Sequence, residues 1–265
     1  MAAIQMVSGP DVSANLRAAE GLLIQAAERG AQLAVLPEFF PIMGVRDTDK
    51  VRVREAPGAG PIQEFLAATS RRLGIWIVGG SVPLAASVHD KVRNACLVYA
   101  ADGKLVARYD KIHLFGFDNG RERYVESNTI EPGERVVTVD SPFGRIGLSV
   151  CYDLRFPELY RSMGAVDVIL VPSAFTATTG KAHWETLIRA RAVENLAYVL
   201  APAQGGRHAS GRETHGDTMI VDPWGEIVDR VVTGPGIALA VVDPARIAAV
   251  RASLPALEHR TLHAC

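Results

Sequence analysis

Residues 145–158 read RIGLSVCYDLRFPE, in which a short apolar run ends at a cysteine and a proline then opens a new segment. The apolar run has strand character, and Pro157 suits the first turn of a helix. Outward from this stretch the alternation continues, with a strand-like run at 166–171 and a helical pattern from about Lys181 to Asn195. Alternating strands and helices without a linker-like break predict an α/β fold in one domain, residues 1–265.

The N-terminal half follows the same pattern. AAIQMV (2–7) and LAVLP (33–37) are strand candidates, and between them Ser13 caps a helix that Gly30 ends. Another helix is expected over Pro61–Leu73. Further strands are expected at 75–80, 94–100, 104–109, 135–140, 197–202, 217–222, 226–231 and 237–242, and a last helix over 243–253.

Composition limits the classes of function. Twenty-eight Lys and Arg against 29 Asp and Glu leave a net charge of -1, which argues against nucleic-acid or membrane-surface partners. No apolar run is long enough for a spanning helix, and residues 1–17 lack a signal-peptide pattern. Cys96, Cys151 and Cys265 are an odd number without CxxC spacing, which favours neither a disulfide framework nor a zinc site. We therefore expect a cytoplasmic protein with a small-molecule partner.

Three reactive side chains stand just after strand-like runs. Glu38 follows LAVLP, Lys111 follows KLVARYD, and Cys151 follows RIGLSV. Because ligands bind beyond the carboxyl ends of strands in α/β sheets, these three side chains are expected to converge. Taken singly, each is more typical of a surface charge or of an inert buried thiol.

Together the three residues have a chemical logic. A thiol attacks a carbonyl as thiolate, and Lys111 is expected to lower the pKa of Cys151. Glu38 can take the thiol proton and later activate water. Lys111 and the backbone N–H of Tyr152 can stabilise the tetrahedral oxyanion.

The residue types alone also allow a second catalytic arrangement. A cysteine–histidine pair could use His113, His183 or His215, although none lies in a local cysteine-protease signature. Metal, dinucleotide, phosphate-loop and serine-nucleophile motifs do not occur in the sequence. The residues thus favour an α/β cysteine hydrolase, and a non-catalytic interaction protein is the alternative from another class.

Three stretches in a fixed order resemble the nitrilase, or carbon–nitrogen hydrolase, superfamily. They are LAVLPEFF (33–40), ARYDKIHLF (107–115) and RIGLSVCYDLRFPE (145–158). The resemblance implies an α-β-β-α sandwich and a Glu38–Lys111–Cys151 triad that hydrolyses a non-peptide C–N bond through a thioester. It also implies no metal or organic cofactor, and at least a homodimer in which residues after about 243 help to join subunits.

The segment after the lysine motif extends the resemblance. Residues 110–134 lack a clear period, which predicts a functional loop. Within it, YVES (124–127) resembles the segment that carries a second glutamate in many members of the superfamily. Glu126 is therefore expected to orient Lys111 and the substrate, with Glu122 as the nearby alternative.

The C-terminal half resembles the small-amidase branch of the superfamily. The stretches concerned are SAFTATTGKAHWETLIRARAVEN (173–195), AQGGRH (203–208), GDTMIVDPWGEIV (216–228) and ASLPALEHR (252–260). Of these, AQGGRH and ASLPALEHR are most similar to the amidases that split deaminated glutathione into 2-oxoglutarate and cysteinylglycine. Omega-amidases and N-carbamoyl amino acid amidohydrolases, with the same triad, are the alternatives.

A 2-oxo acid substrate needs a cationic anchor. Arg155, four residues after the nucleophile, can bind a carboxylate, unless it pairs with Asp153 or Glu158 instead. By resemblance, Phe175 and Thr179 line the same pocket, although an aromatic after a strand is most often core. Arg207 and His208 are expected to shape the wider end of that pocket.

Overall fold

The structure is a computed structural model that describes residues 1–262; Cys265 lies outside the described residues. Its strands are β1 (Ala2–Gln5), β2 (Leu33–Val35), β3 (Trp76–Val78), β4 (Val82–Ala85), β5 (Val92–Tyr99), β6 (Leu105–Asp110), β7 (Gly116–Asp118), β8 (Arg123–Val125), β9 (Thr138–Ser141), β10 (Gly144–Leu148), β11 (Val168–Leu170), β12 (Tyr198–Ala201), β13 (Gly205–Arg207), β14 (Glu213–His215), β15 (Thr218–Val221), β16 (Ile227–Val231) and β17 (Gly236–Leu239). Its helices are α1 (Val12–Glu28), α2 (Asp49–Arg52), α3 (Pro61–Leu73), α4 (Pro157–Ser162), α5 (Ala177–Asn195) and α6 (Pro244–Ser253).

Two mixed sheets form the centre of the molecule. The first has the order β17-β1-β2-β3-β5-β4, with β6 also paired to β5, and the second has the order β16-β15-β12-β11-β10-β9. Strands β1, β2 and β3 run parallel, as do β10, β11 and β12, and antiparallel strands complete each sheet. The central strands are apolar on both faces because each sheet is covered on both sides.

The alternation of side chains along the first sheet explains the layers. Ala3, Val35 and Val78 belong to the core shared with the second sheet. Their neighbours Ala34 and Ile77 point the other way and pack with residues of α1 and α3. Helices α4 and α5 cover the outer face of the second sheet. The arrangement is the predicted α-β-β-α sandwich.

Helix boundaries follow their local signals with some shifts. Helix α3 has the predicted bounds because Pro61 opens it and Gly74, at φ 65°, ends it. Helix α1 starts one residue before Ser13, and its cap is Asp11, whose carboxylate accepts the N–H of Ala14 at 2.7 Å. Helix α5 starts before the predicted Lys181, since Thr176 caps it.

The sequence patterns do not predict strand β4 or two small hairpins. Strand β4 contains Pro83, which is tolerated because this strand lies at an edge of its sheet. The β7–β8 hairpin lies within the loop over 110–134. The β13–β14 hairpin is rich in glycine and polar residues and has no apolar alternation. Among residues 1–262, no helix is long and apolar enough to cross a membrane.

Candidate active site

Cys151 opens a tight turn at the end of the second sheet. It follows β10 directly after Ser149 and Val150, and begins a 3₁₀ turn over Cys151–Arg155. Its backbone has φ 51°, in the left-handed region, which costs on the order of 1–3 kcal/mol for a residue with a side chain. Its N–H donates to the carbonyl of Pro172 at 2.9 Å, which helps to hold the strained residue. The turn therefore brings the thiol out of the sheet, while Cys151 stays buried, with 7% of its surface exposed.

A buried carboxylate ties this turn to the lysine motif. Asp153 is fully buried and accepts hydrogen bonds from the N–H of Val150 at 2.8 Å and the hydroxyl of Tyr109 at 2.7 Å. It also accepts from the backbone N–H and the Nδ1 of His113, at 3.0 and 2.8 Å. Because its partners lie on both motifs, Asp153 fixes the turn of Cys151 against the strand that leads to Lys111.

Lys111 lies between two carboxylates. Its Nζ donates to Glu38 Oε1 at 2.9 Å and to Glu126 Oε2 at 2.7 Å, and its side chain is fully buried. Asn94 donates its amide to the same Glu38 oxygen at 2.9 Å. The thiol of Cys151 lies close enough to Glu38 and Lys111 for their charges to shift its pKa. The structure thus brings together Glu38, Lys111 and Cys151 from the ends of both sheets.

The turn that carries Glu38 is fixed by a close approach of two backbones. Phe39 has φ 55°, and its N–H donates to the hydroxyl of Ser81 at 2.9 Å. Gly80, at φ 45°, passes so close to Pro37 that a Cβ there would overlap the carbonyl oxygen of the proline. Only glycine fits this contact, so the GG pair after β3 helps to set the position of Glu38.

Burial and neighbouring charges shift the pKa values of Cys151, Glu38 and Lys111. Burial raises the pKa of the Cys151 thiol well above its ordinary value, Glu38 and Glu126 add to this, and Lys111 opposes it. Burial likewise raises the pKa of Glu38, although Lys111 lowers it. For Lys111, burial lowers the pKa, but Glu126 and Glu38 outweigh it and the net shift is upward. Lys111 lowers the pKa of Cys151, as predicted, but burial and the two carboxylates outweigh it, so the net shift is upward.

A raised pKa favours the protonated form of the resting Cys151 thiol. With Lys111 charged between two carboxylates, a thiolate would add a second uncompensated negative charge in a buried site. Proton transfer from Cys151 to Glu38 avoids this cost, because it moves a negative charge rather than creating one. The geometry favours thiol activation by a base at the moment of attack.

The two candidate glutamates of the loop have different surroundings. Glu126 lies in a 3₁₀ turn, and the oxygen that contacts Lys111 also accepts the N–H of Phe115 at 2.7 Å. Glu122 instead contacts the hydroxyl of Thr178 at 3.3 Å. Of the two, Glu126 is the one that the structure places against the lysine.

The histidines of the alternative constellation are engaged elsewhere. His113 contacts Asp153 and stacks on Phe156 at 3.7 Å between ring centres. His183 Nδ1 lies 3.3 Å from the guanidinium of Arg155, and His215 packs beside helix α5. None of the three lines the cavity that contains Cys151.

Two adjoining cavities open around the thiol. Four residues predicted to bind the substrate, Tyr152, Arg155, Phe175 and Thr179, line the inner recess. Its full lining is Phe115, Glu126, Cys151, Tyr152, Arg155, Ala174, Phe175, Thr176, Thr179 and Arg212. The outer cavity is much larger, about 690 Å³, and reaches the surface. Phe115, Glu126 and Arg212 line both cavities and so mark their junction. Arg207 and His208 line neither, contrary to expectation.

Arg155 faces the recess without an ionic partner. Its guanidinium lies 5.8 Å from the ring centre of Tyr152 and 5.5 Å from that of Phe175. Within residues 1–262 it forms no ion pair, so the alternative pairing with Asp153 or Glu158 is not seen. Thr179 shares a 2.9 Å hydrogen bond with Thr176 at the start of α5. The recess thus combines two arginines without an ion pair, Arg155 and Arg212, with an aromatic wall and hydroxyl groups.

Sequence reasoning missed three polar residues of this site. Asn94 stands at the head of an apolar strand, where an amide is unexpected, and Asp153 follows the nucleophile by two residues. Arg212 lies in the loop of the unpredicted β13–β14 hairpin. Burial of an amide or a carboxylate is the signal that would find the first two. In the part of the chain described, no three His, Cys, Asp or Glu side chains are grouped so as to hold a metal ion.

Comparison with known proteins defines the class. Residues 1–252 match the carbon-nitrogen hydrolase family, and the chain belongs to that family. It is an amidase, as its relatives and its family indicate.

Particular relatives cover nearly the whole chain. The deaminated glutathione amidase of Synechocystis sp. is 43% identical over 98% of this chain and 97% of its own length. The human protein of the same name is 38% identical over 98% of this chain and 81% of its own. The crystal structure of Saccharomyces cerevisiae Nit3, described as a member of branch 10 of the nitrilase superfamily, superposes with a TM-score of 0.88. It is 32% identical and covers 98% of this chain and 96% of that one.

Proposed function

We propose that this amidase hydrolyses the 2-oxoglutaramyl amide of deaminated glutathione, releasing 2-oxoglutarate and cysteinylglycine. The names of its relatives support this substrate, and the groups that line the two adjoining cavities offer partners to its two halves. The inner recess offers Arg155 to the carboxylate of the 2-oxo acid. The outer cavity of about 690 Å³ leaves room for a dipeptide leaving group, which an ammonia-releasing enzyme does not need.

The first half-reaction forms a thioester. Glu38 accepts the proton of Cys151 as the sulfur attacks the amide carbon, and the carbonyl oxygen becomes an oxyanion. Lys111 Nζ and the N–H of Tyr152 donate to that oxyanion. The C–N bond then breaks, and protonated Glu38 gives its proton to the leaving amine.

The second half-reaction regenerates the enzyme. Glu38, again a carboxylate, takes a proton from water, whose oxygen attacks the thioester carbon. The C–S bond breaks, the 2-oxo acid leaves, and Glu38 returns its proton to the sulfur of Cys151. Glu126 keeps Lys111 charged and oriented throughout, through their 2.7 Å contact.

One observation carries the proposal. A fully buried Lys111 bridges two carboxylates beside a thiol in strained backbone, next to a recess that holds an unpaired arginine. A buried charge cluster and a left-handed nucleophile are both costly to stability, and such costs are typical of catalytic sites.

A coupled assay of 2-oxoglutarate release tests the proposal. Wild-type enzyme should turn over deaminated glutathione faster than 2-oxoglutaramate, and Cys151→Ala should lower the rate by roughly 10⁴-fold or more while the protein stays folded. The matched control is Cys96→Ala, which removes the other described thiol from a fully buried core position and should keep activity. Faster turnover of 2-oxoglutaramate would make the protein an omega-amidase. Near-normal activity of Cys151→Ala would contradict the triad.

Assembly as a homodimer is part of the proposal. Several large apolar side chains are strongly exposed, among them Val241 at 82% and Leu262 at 84%, and both lie in or near the segment expected to join subunits. Burying them against a second copy would remove apolar surface from water. Sedimentation equilibrium should give twice the chain mass, whereas a monomer at micromolar concentration would contradict this. The cytoplasmic location stays a prediction.

A further inference from the structure

Arg212 occupies a distinctive position at the junction of the two cavities. It lies in the loop between β13 and β14, and it lines both the inner recess and the outer cavity. Of the cationic residues lining the outer cavity, only Arg212 also lines the recess that contains Cys151. A group bound by Arg212 therefore lies close to the scissile bond, on the side facing the outer cavity.

The guanidinium of Arg212 is held in place, but one of its N–H donors has no acceptor. Its Nη2 donates to the carbonyl of Ala174 at 2.7 Å, and its carbon lies 5.0 Å from the ring centre of Tyr124. Its Nε is buried without a hydrogen-bond partner, the one buried side-chain polar atom of which this is true across residues 1–262. Buried donors are normally paired, so this N–H points to an acceptor supplied from outside the chain.

The loop that carries Arg212 is anchored on both sides. His208 is buried and contacts the carbonyl of Ser8 and the hydroxyl of Thr214, both at 2.8 Å. The N–H of His215 donates to the carbonyl of Phe175 at 2.9 Å. These bonds fix the hairpin to the first sheet and to the wall of the recess, so the open N–H is preorganised.

Other cations around the outer cavity already have partners. Arg46 pairs with Asp49, Lys50 with Asp47, and Arg123 with Asp118. In the described residues, Arg121 and Arg212 are the two cavity cations without an ion pair. Arg121 is exposed and lines the outer cavity alone. Arg207, an exposed arginine of the same hairpin, lines neither cavity and is the matched control for Arg212.

We propose that Arg212 determines leaving-group specificity: its Nε–H donates a hydrogen bond to the first carbonyl or carboxylate oxygen of an amino-acid or peptide leaving group. This inference rests on the proposed function and names the part of the substrate that Arg212 reads. In a peptide-like leaving group, that oxygen is two carbons from the scissile nitrogen, which suits a donor at the junction of the cavities. An amide that releases ammonia lacks this oxygen and leaves the N–H unpaired, so the enzyme discriminates against it.

The test compares variants and substrates. Arg212→Met should lower kcat/KM for deaminated glutathione by about 10- to 100-fold, mainly through KM, as expected for loss of a charged hydrogen bond. Turnover of 2-oxoglutaramate should stay within about threefold of wild type, which also shows that the variant is folded and active. Arg207→Met should leave turnover of both substrates within the same range. Equal losses on both substrates would overturn the inference, since Arg212 would then serve the acyl group or the fold.

A second comparison uses wild-type enzyme only, and so does not depend on how the variant folds. The amide of 2-oxoglutarate with glycinamide carries the oxygen, whereas the amide with isobutylamine has nearly the same shape without it. Wild-type enzyme should favour the glycinamide derivative by about tenfold or more. Equal rates would overturn the inference.

Different results would contradict the proposed function and the inference about Arg212. A wild-type enzyme that prefers 2-oxoglutaramate overturns the proposed function, and the inference with it. A wild-type preference for deaminated glutathione that survives in Arg212→Met overturns the inference alone.

Discussion

Two regions of the molecule differ in how their cations are paired. They are the buried cluster of Glu38, Lys111 and Glu126, and the two arginines that line the cavities, Arg155 and Arg212. In the cluster, Lys111 has a carboxylate on each side, at 2.9 and 2.7 Å. In the cavities, Arg155 of the recess and Arg212 at the junction have no carboxylate partner in the described residues, and Arg212 keeps an Nε–H without an acceptor.

The difference in ion pairing corresponds to the two roles proposed for these regions, catalysis and substrate recognition. Groups that transfer protons or stabilise an oxyanion must be preorganised, so the protein supplies their partners itself. Groups that recognise a substrate keep free donors, since the substrate supplies the partner. Changes in the cluster should therefore affect kcat and stability, whereas changes at the arginines should affect KM and leave stability nearly unaltered.

The largest effect is expected at Lys111. Lys111→Met removes an oxyanion donor, which should lower kcat by about 10²–10³-fold. It also leaves two buried carboxylates facing each other, and loss of one partner of a buried pair costs about 3–5 kcal/mol of stability. Steady-state kinetics and urea unfolding measure the two effects separately.

A double variant sharpens this comparison. Glu126→Gln combined with Lys111→Met removes one of the two opposed carboxylates, so it should recover part of the lost stability but none of the activity. Recovery of activity in the double variant, or unchanged stability in Lys111→Met, would contradict the account of the cluster.

A smaller effect is expected when Glu126 is changed alone. Burial raises the pKa of Glu38, and Glu126 contributes to that rise. Since Glu38 must be a carboxylate to accept the thiol proton, kcat/KM should fall as pH drops through its raised pKa. Glu126→Gln should move this acid limb to lower pH, and a less well oriented Lys111 should lower kcat by up to about 100-fold.

The pH profile of kcat/KM for both proteins measures this shift. Glu122→Gln is the control, because Glu122 contacts Thr178 rather than Lys111. An acid limb that moves to higher pH in Glu126→Gln, or that moves equally in Glu122→Gln, would show that Glu126 does not act on Glu38.

The smallest effect on chemistry is expected at Arg155. Arg155→Gln should raise KM for deaminated glutathione by about 10- to 100-fold, because it removes a charged hydrogen bond to the substrate carboxylate. Arg155→Lys should be intermediate, since it keeps the charge but not the planar fork. The thermal midpoint should hardly change. A fall in kcat with unchanged KM would place Arg155 among the groups that act on the reacting bond.

Local signals in the sequence predict much of the fold. Pro61 and Gly74 define helix α3, and the motifs that contain Glu38, Lys111 and Cys151 stand at strand ends that the structure brings together. Strand β4 was missed because Pro83 is unusual in a strand and is tolerated only at an edge. Hairpin β13–β14 was missed because its residues lack apolar alternation.

The state of the nucleophile could not be read from the sequence. A cysteine expected near a lysine suggests a lowered pKa, but the number of carboxylates around Lys111 depends on how separate loops pack. Glu38 and Glu126 both reach the lysine, and burial raises the pKa of Cys151. Asp153 likewise acquires its role only because Tyr109 and His113 lie opposite it.

The sequence by itself determined the alternation of strands and helices, the family and the residue types of the triad, because these depend on local order and short motifs. Only the tertiary structure decided which glutamate contacts Lys111, which way the pKa of Cys151 shifts, and which arginine keeps an unpaired N–H between the cavities. Those properties depend on burial and on distances between residues far apart in the chain, and electrostatic and hydrogen-bond energies are set by such distances.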